Sequence, residues 1–308
     1  MEYYHSPDSI KDALSMAREF DGNFIYFAGG TDVQIYRKQK LEKNEHIIDL
    51  KSIQDLNSIS MKDEVLSLGA MTPLDDIIKS KEIQNYFPLL MEAAKSVATP
   101  VIRKTATIGG NLLVRNRCTF YNQSQEWRNG VGSCLRDVGD ICQVTGGNND
   151  CYSRNVSDTA AALIALNAEI TLINSNEMTQ KPLKDIYLPC GIKFHDLDNK
   201  NILTQIHVPF RPKKWWYKKL RVRKTLDFTS LTIAATVDND DMARICLNGV
   251  SMTPILIEES LNTLTLESLV KQARKNCKTV DNDLMPLKYR REMINVFLEE
   301  WWEYEHHK

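Results

Sequence analysis

The chain has 308 residues, with 39 Lys plus Arg against 40 Asp plus Glu and a formal net charge of −1. That length passes the size at which one core stops growing, and a composition 43% hydrophobic and 26% charged excludes a disordered chain. The near-neutral balance gives no general field to attract nucleic acid or acidic membranes. The longest apolar run, Ala160 to Leu166, is far short of the roughly 20 residues of a membrane helix. Met1-Glu2-Tyr3-Tyr4-His5 shows no signal-peptide pattern, so the cytoplasm is the expected compartment.

Ser6-Pro7-Asp8 opens an amphipathic stretch to Phe20 that reads as a helix capped by Ser6 or Asp8, with Pro7 in its first turn. Phe24 to Phe27 is a short strand ending in Ala28-Gly29-Gly30-Thr31-Asp32. Val33 to Lys40 continues as a helix and His46 to Leu50 as a second strand. Adjacent glycines between strand and helix let backbone approach a ligand, and their N–H groups can form an anion nest suited to a pyrophosphate. A tight strand–helix turn would look the same, and Asp32 counts against the anion unless it turns away.

Glu64 to Ala70 reads as a strand, with helices near Pro73 to Ser80 and Leu89 to Val97. Thr105-Ala106-Thr107-Ile108-Gly109-Gly110-Asn111-Leu112 repeats the first loop's chemistry, and two such loops can clamp one long dinucleotide. Neither a Rossmann nor a P-loop glycine pattern occurs. Ser157 or Asp158 caps an apolar helix to Leu166. Glu169 to Ile173 and Ile202 to Val208 alternate like strands. Arg211 to Lys224 holds eight basic residues in fourteen around Trp215, Trp216 and Tyr217. A strand with a charged face is the preferred reading over a nucleic-acid patch, because no further basic surface extends it. Phe228 to Val237 and Met242 to Val250 read as a hairpin closed at Asp238 to Asp241. Tyr289 to Tyr304 reads as a helix burying Met293, Phe297 and Trp301 beside Ile294 and Leu298.

Seven cysteines remain, four of them at Cys118, Cys134, Cys142 and Cys151. Even scatter would put about 0.8 in that window. Cys190, Cys246 and Cys277 sit in apolar or amphipathic surroundings and read as small buried hydrophobes. The window contains no His and no short C-x₂-C pair, and its spacer is rich in Gly130, Gly132, Gly139, Gly146 and Gly147. A [4Fe–4S] cluster, a structural zinc and bystander thiols all fit the spacing.

Taken together, these motifs resemble the FAD-binding medium subunit of the molybdenum hydroxylases, the relatives of xanthine dehydrogenase and carbon monoxide dehydrogenase. Ala28 to Asp32 looks like the first FAD loop. Arg103 with Thr107 to Leu112 is similar to the second, Ser157-Asp158 to a third contact, and Ile202 to Pro209 to the strand beside the flavin. Tyr217-Lys218-Lys219-Leu220 with Arg223 and Asp227, Gly249 to Pro254, and Tyr289-Arg290-Arg291 resemble the C-terminal domain. Most of that family passes directly from the region of Arg115 to that of Asp158. The roughly forty extra residues here resemble the insert of the β subunit of 4-hydroxybenzoyl-CoA reductase.

The resemblance implies an α+β fold: a two-subdomain FAD-binding domain of the PCMH/CO dehydrogenase flavoprotein type, then a C-terminal α+β domain with a small antiparallel sheet. The implied divisions are residues 1–55, 56–180 with an insert at about 116–156, a connecting segment 181–211, and 212–308. FAD contacts are implied at Phe27, Ala28, Gly29, Gly30, Thr31, Asp32, Thr107, Ile108, Gly109, Gly110, Asn111, Thr119, Asp158, Thr204 and Lys219. Ligands of a [4Fe–4S] cluster are implied at Cys118, Cys134, Cys142 and Cys151. No acid–base or nucleophilic constellation calls for a catalytic residue in this subunit. Its implied role is electron transfer between a ferredoxin-like partner and a small [2Fe–2S] and a large molybdopterin subunit, in a dimer of heterotrimers. The implied reaction is reductive dehydroxylation of an aromatic acyl-CoA. The alternatives are a purine or N-heterocycle dehydrogenase subunit and a non-enzymatic zinc scaffold.

Overall fold

A computed structural model describes residues 3–209 and 211–306. Its strands form three sheets. The first joins β1 (Tyr3–His5), β2 (Phe24–Phe27) and β3 (His46–Asp49), all parallel, with β3 in the middle. The second holds β4 (Ile59–Lys62), β5 (Val65–Gly69), β6 (Glu169–Ile173), β7 (Met178–Pro182) and β8 (Ile202–Val208), antiparallel in the order β4-β5-β8-β6-β7. The third is the antiparallel meander of β9 (Lys214–Leu220), β10 (Leu231–Val237), β11 (Met242–Asn248) and β12 (Ile255–Ser260).

In the first sheet, Phe24 and Ile48 pack on Ala13, Leu14 and Ala17 of a helix at Ile10–Glu19. That helix starts later than expected. Its N-cap is Ser9, whose hydroxyl accepts from Asp12 N–H at 3.1 Å; Ser6, Pro7 and Asp8 all precede it. Strands β1 and β4 are too short and too polar to stand out by alternation, and only the sheet pairing reveals them.

The central core packs β5, β6 and β8 against the helices Leu74–Lys79, Pro88–Ser96 and Asp158–Ala165. The last is buried at every position, as an apolar run with no polar face requires. Strand β10 explains how the third sheet attaches. Its alternate residues Leu231, Ile233, Ala235 and Val237 enter a C-terminal core with Phe297, Leu298 and Trp301 of the helix Leu287–His306. Ala234, pointing the other way, joins the central core.

Lys214 to Leu220 of the basic stretch form strand β9, as preferred over a nucleic-acid patch, but the strand ends there and Arg221 to Lys224 lie outside it, so the expected alternation through Val222 and Arg223 does not occur. Lys214 pairs with Glu305 at 2.8 Å, Lys218 with Glu300, and Lys219 with Asp158, so its charge is answered within the chain. Cys246 and Cys277 are buried, but Cys190 is exposed, which corrects its reading as a buried hydrophobe: it lies in an open turn and not in an element with an apolar face. No described helix is long and apolar enough to cross a membrane.

Candidate functional site

The strand–turn–helix at Phe27 to Val33 and the short helix Ile108–Leu112 meet edge to edge. A Cβ on Gly29 would lie 2.0 Å from Thr105 O, so only glycine permits that approach. A Cβ on Gly110 would point at Ala28, 3.8 Å from its Cβ. Gly30 adopts φ +68°, and the Phe27 ring occupies the space its side chain would need.

The two loops nevertheless differ. In the second, Ile108 N–H donates to Thr72 O at 3.0 Å, Gly109 to Ala70 O at 2.8 Å, and Gly110 to Thr107 Oγ1 at 3.1 Å. Its donors serve the fold. In the first, the N–H groups of Gly29, Gly30 and Thr31 donate to no acceptor among the described residues. The anion-nest chemistry therefore belongs to the first loop alone.

Both loops face a cavity of about 750 Å³. Of the residues proposed from the sequence, Ala28, Gly29, Gly30, Thr31, Asp32, Thr107, Gly109, Gly110, Asn111 and Asp158 line it. Phe27 and Ile108 stand behind the lining. Thr204 is buried in β8 and donates to Thr171 O at 3.2 Å. Thr119 lies at the start of the thiol loop and receives Gln123 on its carbonyl. Lys219 does not face the cavity; its Nζ reaches Asp158 Oδ2 at 2.5 Å and Ser96 O at 3.1 Å. Thr232 also donates to Asp158, at 3.2 Å. Burial pushes the Asp158 carboxyl up, and Lys219 opposes that shift.

The cavity also contains residues that sequence motifs did not mark. Arg117 lies over the Phe228 ring at 4.3 Å and 3.6 Å from Asp32, so the objectionable carboxylate of the first loop has a cation beside it. Arg115 pairs with Glu42 and sits over Tyr36. Tyr26 Oη and His195 Nε2 are buried with no hydrogen-bond partner, and both residues line the cavity. Burial pushes the His195 imidazole down to about 4 and raises the Tyr26 phenol. The one available signal was two arginines flanking Asn116, just before the insert.

The insert is pinched at its base by a two-way bridge. Arg117 N–H donates to Arg154 O at 2.8 Å, and Arg154 N–H returns to Arg117 O at 2.9 Å. Asn116 and Asn248 tie the same point to the third sheet, through Met252 O at 2.8 Å and Ser157 O at 2.7 Å. Beyond the bridge the chain forms one unexpected helix, Gln125–Val131, capped by Ser124, and otherwise turns. Cys118, Cys134, Cys142 and Cys151 all line one small pocket. Among the described residues no three His, Cys, Asp or Glu side chains group closely enough to hold a single metal ion. Burial raises Cys118 and Cys151, while backbone N–H groups of Phe120 and Tyr121 and of Ser153 favour their thiolates. At Cys142 burial is outweighed by Thr145, Val144 and Tyr152, and the thiol falls below its ordinary value.

Residues 1–211 match the family described as the FAD binding domain in molybdopterin dehydrogenase. The aldehyde oxidoreductase FAD-binding subunit PaoB of Escherichia coli is 30% identical over 257 residues, 80% of this chain and 80% of that protein. The carbon monoxide dehydrogenase medium chain of Hydrogenophaga pseudoflava is 27% identical over 276 residues, 88% of this chain and 82% of that protein. The reconstituted CO dehydrogenase structure from Oligotropha carboxidovorans matches with a TM-score of 0.77 at 23% identity, over 97% of this chain and 96% of that one. The chain belongs to this FAD-binding family, and its α+β architecture is that of the CO dehydrogenase flavoproteins. It is the flavin subunit of an oxidoreductase of the molybdenum hydroxylase family, which removes the non-enzymatic scaffold reading.

Proposed function

We propose that the 750 Å³ cavity is the FAD site and that the four clustered cysteines hold a [4Fe–4S] cluster, making this subunit an electron carrier with two redox groups. When bound, flavin and cluster supply the electron-transfer chemistry. The cavity volume falls within the range of ordinary cofactor sites. The N–H groups of Gly29, Gly30 and Thr31 offer donors to a pyrophosphate, with Arg117 balancing Asp32. Gly109 and Gly110 supply close backbone. Tyr26 Oη and His195 Nε2 are donors or acceptors that a polar ligand would satisfy. The Lys219–Asp158 pair braces the cavity wall from behind.

The observation that carries the cluster is the convergence of four thiols, all within a 34-residue window of the sequence, on one pocket reached by several backbone N–H groups. Four cysteines lining one space are the donor set that a [4Fe–4S] cluster takes. The pocket measures only about 10 Å³, so cluster binding requires its lining to move apart. On this reading residues 1–55 and 56–180 are the two halves of the flavin domain, 181–211 leads onward while its strand β8 completes the second half's sheet, and 212–308 is the C-terminal domain. Partner subunits would be a molybdopterin chain and a [2Fe–2S] chain, with a ferredoxin-like protein outside them.

The favoured overall reaction is reductive dehydroxylation of an aromatic acyl-CoA, on the strength of the insert's sequence resemblance to that of the 4-hydroxybenzoyl-CoA reductase β subunit. The relatives named for aldehydes and carbon monoxide support a second reading, a different substrate in the same class. Flavin, iron and zinc analysis of the purified chain tests the cofactors: one FAD and four irons are expected, and zinc without iron overturns the cluster. Assay of the assembled enzyme with 4-hydroxybenzoyl-CoA and a low-potential donor, against aldehydes and purines, tests the substrate.

A further inference from the structure

The two cavities share a wall. Ser153, which lines the thiol pocket, donates its hydroxyl to Gly191 O at 2.7 Å. A Cβ on Gly191 would lie 1.9 Å from Cys151 O, so the chain there rests directly on the insert. The segment that follows carries Phe194 and His195 into the lining of the large cavity. From the insert side, the Arg136 guanidinium lies 4.2 Å from the Tyr121 ring centre and 5.1 Å from that of Phe194. Its Nη1 donates to Asn116 O at 2.5 Å, which fixes the group in place. Arg136 and Tyr121 both line the thiol pocket. No carboxylate is paired with Arg136 among the described residues. An arginine stays charged even when buried.

We propose that Arg136 is the charge that sets the reduction potential of the group held by the four thiolates. It is a positioning residue in the wall between the two redox sites. A fixed cation beside four thiolates stabilises the more negative, reduced form and so raises the potential. The proposal rests on the [4Fe–4S] reading above.

The test is a redox titration of the cluster signal in the parent chain and in Arg136→Gln and Arg136→Lys, with iron and FAD measured in each. Arg136→Gln should keep its iron and FAD and shift the reduction equilibrium about tenfold toward the oxidised form, about 59 mV for one electron. Arg136→Lys keeps the charge and should stay within about twofold of the parent. An unshifted Arg136→Gln, or a lysine variant shifted as far as the glutamine one, overturns the proposal. If Arg136→Gln loses iron, the lysine variant decides alone. Loss of iron from both also overturns it, since the side chain would then be a prop for the loop. A parent with FAD but no iron defeats the cluster reading first, and this inference with it.

Discussion

The large cavity and the thiol pocket differ in how they are built. The first is walled by turns locked between regular elements, with Gly29 pressed on Thr105 and Gly109 bonded to Ala70. Its shape is set by those contacts between backbone segments. The second is made by a loop of turns and one short helix, held at its base by the Arg117–Arg154 bridge. Few apolar contacts hold that loop's interior, and Val138 and Ile141 are exposed. A preformed site binds by complementarity; a loop site draws part of its order from what it binds. The two should therefore fail separately and in different ways.

The largest effect expected follows from the first site's rigidity. Gly29→Ala forces a methyl to 2.0 Å from a backbone oxygen that Thr105 cannot withdraw. Overpacking of this kind costs about 1–3 kcal/mol and would displace the free N–H donors. FAD content should fall at least tenfold while iron is retained, measured by flavin absorbance and metal analysis on one preparation. Equal loss of both cofactors would show that the sites are not independent.

Cys142→Ser is the matching change in the second site. Its thiol is the one shifted downward by its surroundings, so it is the best prepared ligand. Iron should be lost and FAD kept, and the insert should become the first segment cut by limited proteolysis. A variant with full iron would remove Cys142 from the ligand set.

The same division decides how much could be read from sequence. The glycine loops and the clustered cysteines stood out as local patterns, each with more than one possible use, and the resemblance to a family supplied their cofactor roles and that of Asp158. Ten of the proposed contacts line the cavity, and all four cysteines share a pocket. Thr204 and Lys219 were drawn from resemblance to a family and stand one layer behind the surface. His195 reaches the cavity from a distant part of the chain with nothing adjacent to mark it, whereas Tyr26, two residues before Ala28, and Arg136, two residues after Cys134, lie beside the motifs and only the fold shows what they face. Likewise, the second glycine pair matches the first in composition, yet its N–H groups are consumed by Thr72, Ala70 and Thr107. Hydrogen-bond partners at that range have no local signature.

His195 tests the shared wall through pH. Its imidazole titrates at about 4 in the folded chain against an ordinary 6.5, because burial disfavours the cation. Between those values the unfolded chain binds the extra proton. Stability should therefore fall as pH drops from 6.5 toward 4, by on the order of 3 kcal/mol in total. In His195→Gln that part of the slope should vanish, seen as a smaller change in melting temperature between pH 7 and pH 4.5. An unchanged slope would place the imidazole in contact with solvent.

Gly130 gives the smallest effect and the sharpest contrast with Gly29. It lies in the helix Gln125–Val131, and a Cβ there would meet nothing within 4 Å. Glycine inside a helix is worth roughly 0.5–1 kcal/mol less than alanine. Gly130→Ala should therefore stabilise the insert slightly, slowing its proteolysis about two- to fivefold with both cofactors unchanged. A glycine in the preformed cavity is required by its neighbours, whereas this one leaves the loop freer than its geometry demands. If Gly130→Ala instead lowers iron occupancy, the helix must bend to admit the cluster, and the loop's looseness is itself part of the site.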